Sequence, residues 1–323
     1  MSISPTDIVF FKSLYINDTT ANGGKIGVTR LTSGVNNNLF PNVISAERTS
    51  GVTRYRKFFI KNENPSNIVL ENVKLFLSSI NSGEDFFEFI FGDDTDIQST
   101  ITSEINWCGA GKLYNSVASG ESSITVQFKQ ASGIFSGEAN TQIRLSDTTH
   151  SEFHDISGVS WIGSNAVVTI TDTLNSNFST TDTVVSTVKL LDRLAPILSN
   201  WTVTSSAGTY NDSSYPISLY NIGTISEDWT ITFTGATTFF VAGAVTGSVG
   251  TGTISSTFAP ANGSSFYFSI NKDGWGGTWA TGDTVTFTTV HAAQAIWIKE
   301  IVPAGCPPAS NNVIALTWEG ESV

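Results

Sequence analysis

AIWIKEIVPAG (Ala295–Gly305), followed closely by NVIALTWEGE (Asn312–Glu321), decides how this chain is put together. Both runs have the alternating, branched and aromatic texture of strands. What precedes them is a long Thr/Ser/Gly-rich array with few basic residues, which does not match them. The stretch that does match is YRKFFIKNENPSNIVLENVKLFL, Tyr55–Leu77, far upstream. There Pro65 and its asparagine neighbours punctuate a turn between two strands. Within it, Leu70-Glu71-Asn72-Val73 opens the second strand, and Val302-Pro303-Ala304-Gly305 ends the late one. Taken alone, the N-terminal part runs out of strand signal after INWCGAGKLY and leaves sheet edges open, which invites aggregation. The tail offers the missing strands.

Working inward from both ends gives three units. Residues 1–118 together with 292–323 form a discontinuous β-sandwich, 119–195 an inserted β module and 196–291 a second one. Insertion into a loop is tolerated because closure entropy grows slowly with length. In the middle, short strands recur every 8–12 residues or so between Gly, Asn and Asp, the spacing of a sandwich or small barrel. LDRLAPILSN (Leu191–Asn200) reads as a linker, since Pro196 cannot continue a ladder. The Gly-rich VAGAVTGSVGTGT reads either as a flexible loop or as strands joined by glycine turns. No segment sustains a 3.6-residue period; LFPNVISAERTSG (Leu39–Gly51) is the one short-helix candidate. The expected fold class is all-β, built of Ig-like sandwiches or small barrels. The expected closing core of the first module is Trp297 and Ile298 against Phe59 and Val73, with Lys299 and Glu300 near an exposed edge.

Composition agrees with a packed β protein. Hydrophobic residues make up 40% and charged residues only 14%, and the 21 Phe and 8 Trp are far more aromatic content than a disordered chain carries. The net charge of −12 speaks against nucleic acid, which is held by clustered Lys and Arg, and against anionic membrane surfaces. No run reaches the roughly 20 apolar residues of a membrane span. MSISPTDIVFF lacks the basic start and apolar run of a signal peptide, so synthesis and folding in a reducing cytoplasm are expected. Two cysteines, Cys108 and Cys306, are too few for a disulfide scaffold. Reduced, buried thiols are the expectation, a Cys108–Cys306 bridge the alternative.

Three stretches together, NNLFPNVISAERTSGVTRYRKFFIKN (Asn37–Asn62), DGWGGTWATGDTVTFTT (Asp273–Thr289) and AIWIKEIVPAG with the closing LTWEGES, resemble a group of virion structural proteins of tailed bacteriophages and Mu-like prophages. Shorter members keep the two ends and lack much of the middle. The resemblance implies a virion component made in the bacterial host cytoplasm, with copies of itself and other virion proteins as partners. It carries no catalytic residue and no cofactor.

The chemistry-bearing clusters are few. His150 and His154 in DTTHSEFHD have metal-pair spacing only on a helix, so a polar hairpin loop is the simpler reading. The acidic loop GDDTD (Gly92–Asp96) offers oxygens to calcium but lacks the EF-hand pattern, so a solvated turn is the simpler reading. Glu84, Asp85 and Glu88 contain the carboxylate pair that a glycosidase uses, a weak signal. Trp275 and Trp279 in DGWGGTWATGD are the most distinctive aromatic pair. They read as an interface or core plug, or as a stacking platform for a host-surface glycan that the flanking glycines would admit. The expected function is a non-enzymatic structural part of the tail, neck or baseplate. A capsid-exterior decoration protein or a carbohydrate-binding module is the alternative.

Overall fold

The computed structural model describes residues 2–310 and 312–322. The chain is all-β; among the described residues, helix is confined to α1 (Ser45–Ser50), α2 (Gln98–Ile101) and two single 3-10 turns. Among the described residues, no helix is long and apolar enough to cross a membrane.

The N-terminal part supplies β1 (Ile8–Tyr15), β2 (Gly23–Leu31), β3 (Val52–Asn62), β4 (Leu70–Leu77) and β5 (Phe86–Gly92). The middle supplies β6 (Ala110–Leu113), β7 (Ser123–Gln127), β8 (Thr141–Ser146), β9 (Ser151–Ile162), β10 (Asn165–Ile170) and β11 (Val184–Leu194). Next come β12 (Ile197–Thr204), β13 (Gly208–Tyr210), β14 (Glu227–Phe233), β15 (Thr238–Gly243), β16 (Gly247–Thr253), β17 (Ala261–Asn262), β18 (Ser265–Phe266), β19 (Trp275–Gly277) and β20 (Thr284–Val290). The tail ends in β21 (Ala293–Val302) and β22 (Leu316–Ser322).

The tail strand β21 lies between β3 and β5 in the sheet β2-β1-β3-β21-β5. Its register with β3 runs without a break from Ala293↔Lys61 to Val302↔Val52. β22 pairs with β4, whose other neighbour is β11. β4 is kinked at Asn72, which sits at φ 51°, a left-handed conformation that Asn tolerates better than most residues. The ladders on both sides of β4 skip a residue there. These two layers enclose Phe58, Ile60, Val73, Leu75, Ile296 and Ile298.

Trp297 and Phe59 do not join that core. Successive strand residues face opposite ways, so Trp297 packs on the outer face of the five-stranded sheet with Ile90, Ile101 and Trp107. Phe59 packs there with Phe11 and Ala295. The four residues expected to close one core are therefore all buried, but in three clusters on two faces. Lys299 and Glu300 are also not at an edge. β21 is an interior strand, and Glu300 is only 3% exposed.

The middle strands β11-β6-β7-β10-β9-β8 close on themselves through the β8–β11 pairing, which makes a six-stranded barrel around Val126, Ile143, Leu145, Val168 and Val185. β11 serves two modules. Its first half pairs with β6 and its second half with β4, with β8 along the other edge. A boundary at residue 118 thus falls too late, because β6 belongs to the barrel ladder. The expected linker is also mostly strand: only Ala195-Pro196 separates β11 from β12.

The third module is a sheet β12-β20-β14-β15-β16 covered by short pairs β13–β19 and β17–β18. Its core is aromatic: Trp229, Phe233, Phe239, Phe268, Phe287 and Trp279. The Gly-rich run is the β15–β16 hairpin, with Gly247 at φ 75° after the turn. This module meets the first through polar contacts. Buried Asn221 donates from its backbone to Asn67 Oδ1 and from Nδ2 to the Ile68 carbonyl, each at 3.0 Å, and Lys61 Nζ donates to the Ile222 carbonyl.

Candidate functional site

A cleft of about 980 Å³ opens at one end of the first module. One wall is the irregular segment 33–43, and the other is the connection between β21 and β22. Its floor is the inner face of the five-stranded sheet, with Phe58, Phe87, Ile298, Glu300 and Val302. The first wall is held by α1. Glu47 accepts from the Ile44 N–H at 2.9 Å, Arg48 donates to the Val43 carbonyl at 3.1 Å, and Gly51 at φ 75° turns the chain into β3. The Pro-Ala-Gly turn is tied to the same helix, since the Gly305 N–H donates to the Arg48 carbonyl at 2.7 Å. Exposed apolar side chains stand on both rims, Val35 at 55% and Val313 at 65%.

The floor carries a buried ion pair. Arg54 Nε donates to Glu300 Oε2 at 2.8 Å, and Arg54 Nη2 reaches the same oxygen and the Pro41 carbonyl. Burial pushes the Glu300 carboxyl up to about 7, against the pull of Arg54; Asp85 and Glu47 add to the rise. Asp85 itself is held by Asn312 Nδ2, at 2.7 Å to each oxygen, and by Asn81. Cys306 lines the cleft too. Both cysteines are free, and burial raises the Cys108 thiol to about 12.

The other sequence candidates lie elsewhere. In the acidic loop GDDTD the cation is the chain's own. Lys57, wholly buried, donates from Nζ to the carbonyls of Asp93 (2.6 Å), Asp94 (3.2 Å) and Asp96 (3.2 Å) and pairs with the Asp96 carboxylate. Of the acidic trio, Glu84 is exposed. Asp85 turns into the cleft, whereas Glu88 lies on the opposite face of β5, paired with Lys299 at 2.7 Å. Strand alternation separates the two carboxylates that the glycosidase reading needs together.

His150 sits in the β8–β9 turn, as the loop reading expects, beside Asp147. His154 does not. It is 2% exposed within β9, with Nδ1 2.8 Å from Asp172 and Nε2 3.1 Å from Glu152. Among the described residues, no group of three or more His, Cys, Asp or Glu has the geometry to hold a metal ion.

Trp275 and Trp279 belong to the interior of the third module. Trp279 is 2% exposed and stacks on Phe233 at 4.1 Å and 5°. Trp275, half-buried, meets Tyr210 edge-on at 4.8 Å. The space at the glycines around them is taken by the module's own residues and is not open to a ligand. A Cβ on Gly208 would lie 2.4 Å from the Trp279 ring, and one on Gly274 2.5 Å from Tyr210. Gly208→Ala should therefore destabilise this module by about 1–3 kcal/mol through overpacking. Calorimetry would show one lowered transition, and an unchanged trace would refute the packing role.

Arg54–Glu300 and Lys57–Asp96 escaped the sequence reading. A signal was present: VTRYRKFFIK places Arg54 and Arg56 on one face and Lys57 on the other. Whether such charges reach water depends on what covers each face, and a strand does not encode that. Comparison with family models, curated proteins and solved structures found no match.

Proposed function

We propose that this protein is a non-enzymatic structural component of a tailed-bacteriophage virion, in the tail, neck or baseplate region, whose copies dock through the cleft end of the first module. The observation that supports this reading is where the virion-like strings lie. Asn37–Asn62 contributes one cleft wall, α1 and β3. The string from Ala295 contributes β21, and LTWEGES is β22. Two strings distant in sequence thus build one body, with β3 and β21 paired along ten residues. An open end with Val35 and Val313 exposed on its rims suits assembly. Exposed apolar side chains on a rim gain from burial by a partner, and a symmetric assembly repeats one interface in every copy.

Quantitative mass spectrometry of purified particles tests the reading. A low copy number set by tail symmetry is expected; abundance comparable to the capsid protein would move the protein to the capsid exterior, and absence would end the proposal. Val35→Arg and Val313→Arg should reduce incorporation into particles while leaving the melting of the isolated protein unchanged, because both side chains are exposed. Normal incorporation of both variants would place docking elsewhere. A glycan platform at Trp275 and Trp279 is not carried forward, because those rings pack in the third module's core.

A further inference from the structure

The surroundings of Lys57 resemble a reaction site more than an ordinary ion pair. Lys57 is 0% exposed and lies between the rings of Phe59 and Trp297, 5.1 and 5.8 Å from their centroids. Its carboxylate partner, Asp96, uses its two oxygens differently. Oδ2 accepts from the indole Nε1 of Trp297 at 2.9 Å and from the Asp93 backbone N–H at 3.1 Å. Oδ1 faces the Lys57 ammonium, is buried, and makes no hydrogen bond of good geometry. Gly92 permits this approach: a Cβ there would lie 2.6 Å from the Trp297 ring and 2.8 Å from Asp96 Oδ2.

We infer that Lys57 and Asp96 condense to an intramolecular isopeptide bond, with the Trp297 indole and the Asp93 N–H holding the carbonyl oxygen. Proton transfer within the pair gives a neutral amine and a neutral carboxylic acid. Burial favours that exchange and pulls the lysine below its usual range, although Asp96, Asp94 and Asp93 and the three backbone carbonyls that accept from Nζ oppose it. Nζ then attacks Cγ. The negative charge of the tetrahedral intermediate collects on Oδ2, where two N–H donors already point. The Cγ–Oδ1 bond breaks, and Oδ1 leaves as water with two protons that began on Nζ. The balance is one ammonium and one carboxylate in, one amide and one water out, with no other reactant. In bulk water this condensation is unfavourable. Here it removes two charges from a desolvated site, where holding them is expensive.

The topology gives the bond a purpose. Lys57 is on β3, Asp96 follows β5, and between those strands lies β21, with Trp297 directly opposite Lys57. The link would clasp the two neighbours of β21, the strand of this sheet that comes last in the chain, and hold it in place. The same face carries a second lysine–carboxylate pair, Lys299–Glu88, but there the free carboxylate oxygen accepts from a hydroxyl, Ser132, and no pair of N–H donors faces it. That contrast singles out Lys57–Asp96.

Intact-mass measurement of the purified full chain tests the inference. The expected result is a protein lighter than its sequence by one water, and a proteolytic branched peptide joining the Lys57 and Asp96 segments. Asp96→Ala and Lys57→Met should restore the full mass. If either variant fails to fold, the branched peptide of the unmutated chain still decides. A full sequence mass after prolonged incubation of the folded protein would mean an ion pair only and would overturn the inference. So would a branch joining Lys299 to Glu88, or a water loss that persists in Asp96→Ala.

Discussion

Trp297→Ala is expected to destabilise the first module by about 3–5 kcal/mol, the range for truncating a fully buried large aromatic side chain. The ring is 0% exposed and packed against Ile90, Ile101 and Trp107. Gly23 and Gly92 close around it so tightly that a Cβ on either would come within 2.7 Å of the indole. Those walls are backbone and cannot collapse into the space. The indole N–H also holds Asp96, which would be left with one fewer donor. Hydrogen exchange should show where the loss falls. β3, β21 and β5 should lose protection first, and the barrel should follow in part, because β11 is common to both ladders. The third module has its own core and sheet, and meets the first through a few hydrogen bonds. Its β14 and β15 amides should stay protected. Equal loss across all three modules would show that they unfold as one unit.

Arg54→Met should have an effect of similar size, about 3–5 kcal/mol, for a different reason: it strands a buried carboxylate. Arg54 and Glu300 side chains are 3% and 4% exposed, and Asp85 and Glu47 add negative charge nearby. Replacing both partners, Arg54→Met with Glu300→Leu, should recover most of the loss, because the desolvation penalty then disappears from both sides. Denaturant titration of the two singles and the double would settle it; a double variant no more stable than Arg54→Met would refute the argument.

The pair also sets a pH dependence. The folded Glu300 carboxyl, at about 7, binds its proton more tightly than the unfolded one near 4.5. Its contribution is therefore fully present below the unfolded value and is lost as pH rises through about 7. Asp94, Glu152 and Glu227 are shifted down and act in the opposite sense, so the informative quantity is a difference. Stability of the unmutated protein relative to Glu300→Gln should fall between pH 4.5 and 7. Parallel curves would contradict the assignment.

How much of this could be read in advance differs from residue to residue. β21 announced itself, because its branched and aromatic texture broke with the Thr-rich array before it. The turn at Gly305 could also be located, because left-handed backbone selects for Gly, whereas Asn72 reads only as part of a strand although it too is left-handed. Trp279 could not be assigned in advance. Tryptophan between glycines looks the same whether the glycines admit a sugar or another ring, and only the 4.1 Å stack on Phe233 decides. GDDTD reads as a solvated acidic turn, but it holds a cation, a lysine on a strand that the local sequence does not mention.

By itself, then, the sequence determined the strand character of the chain and the need of the tail for a distant partner. These follow from side-chain shape and from the obligation of backbone groups to pair, both of which act locally. Only the tertiary structure decided which face of β21 each residue takes, that β11 serves two ladders, and that Lys57, Arg54 and Glu300 lie out of water. Burial is set by what covers a strand. For β3 and β21 the covering pieces come from opposite ends of the chain, where no local pattern records them.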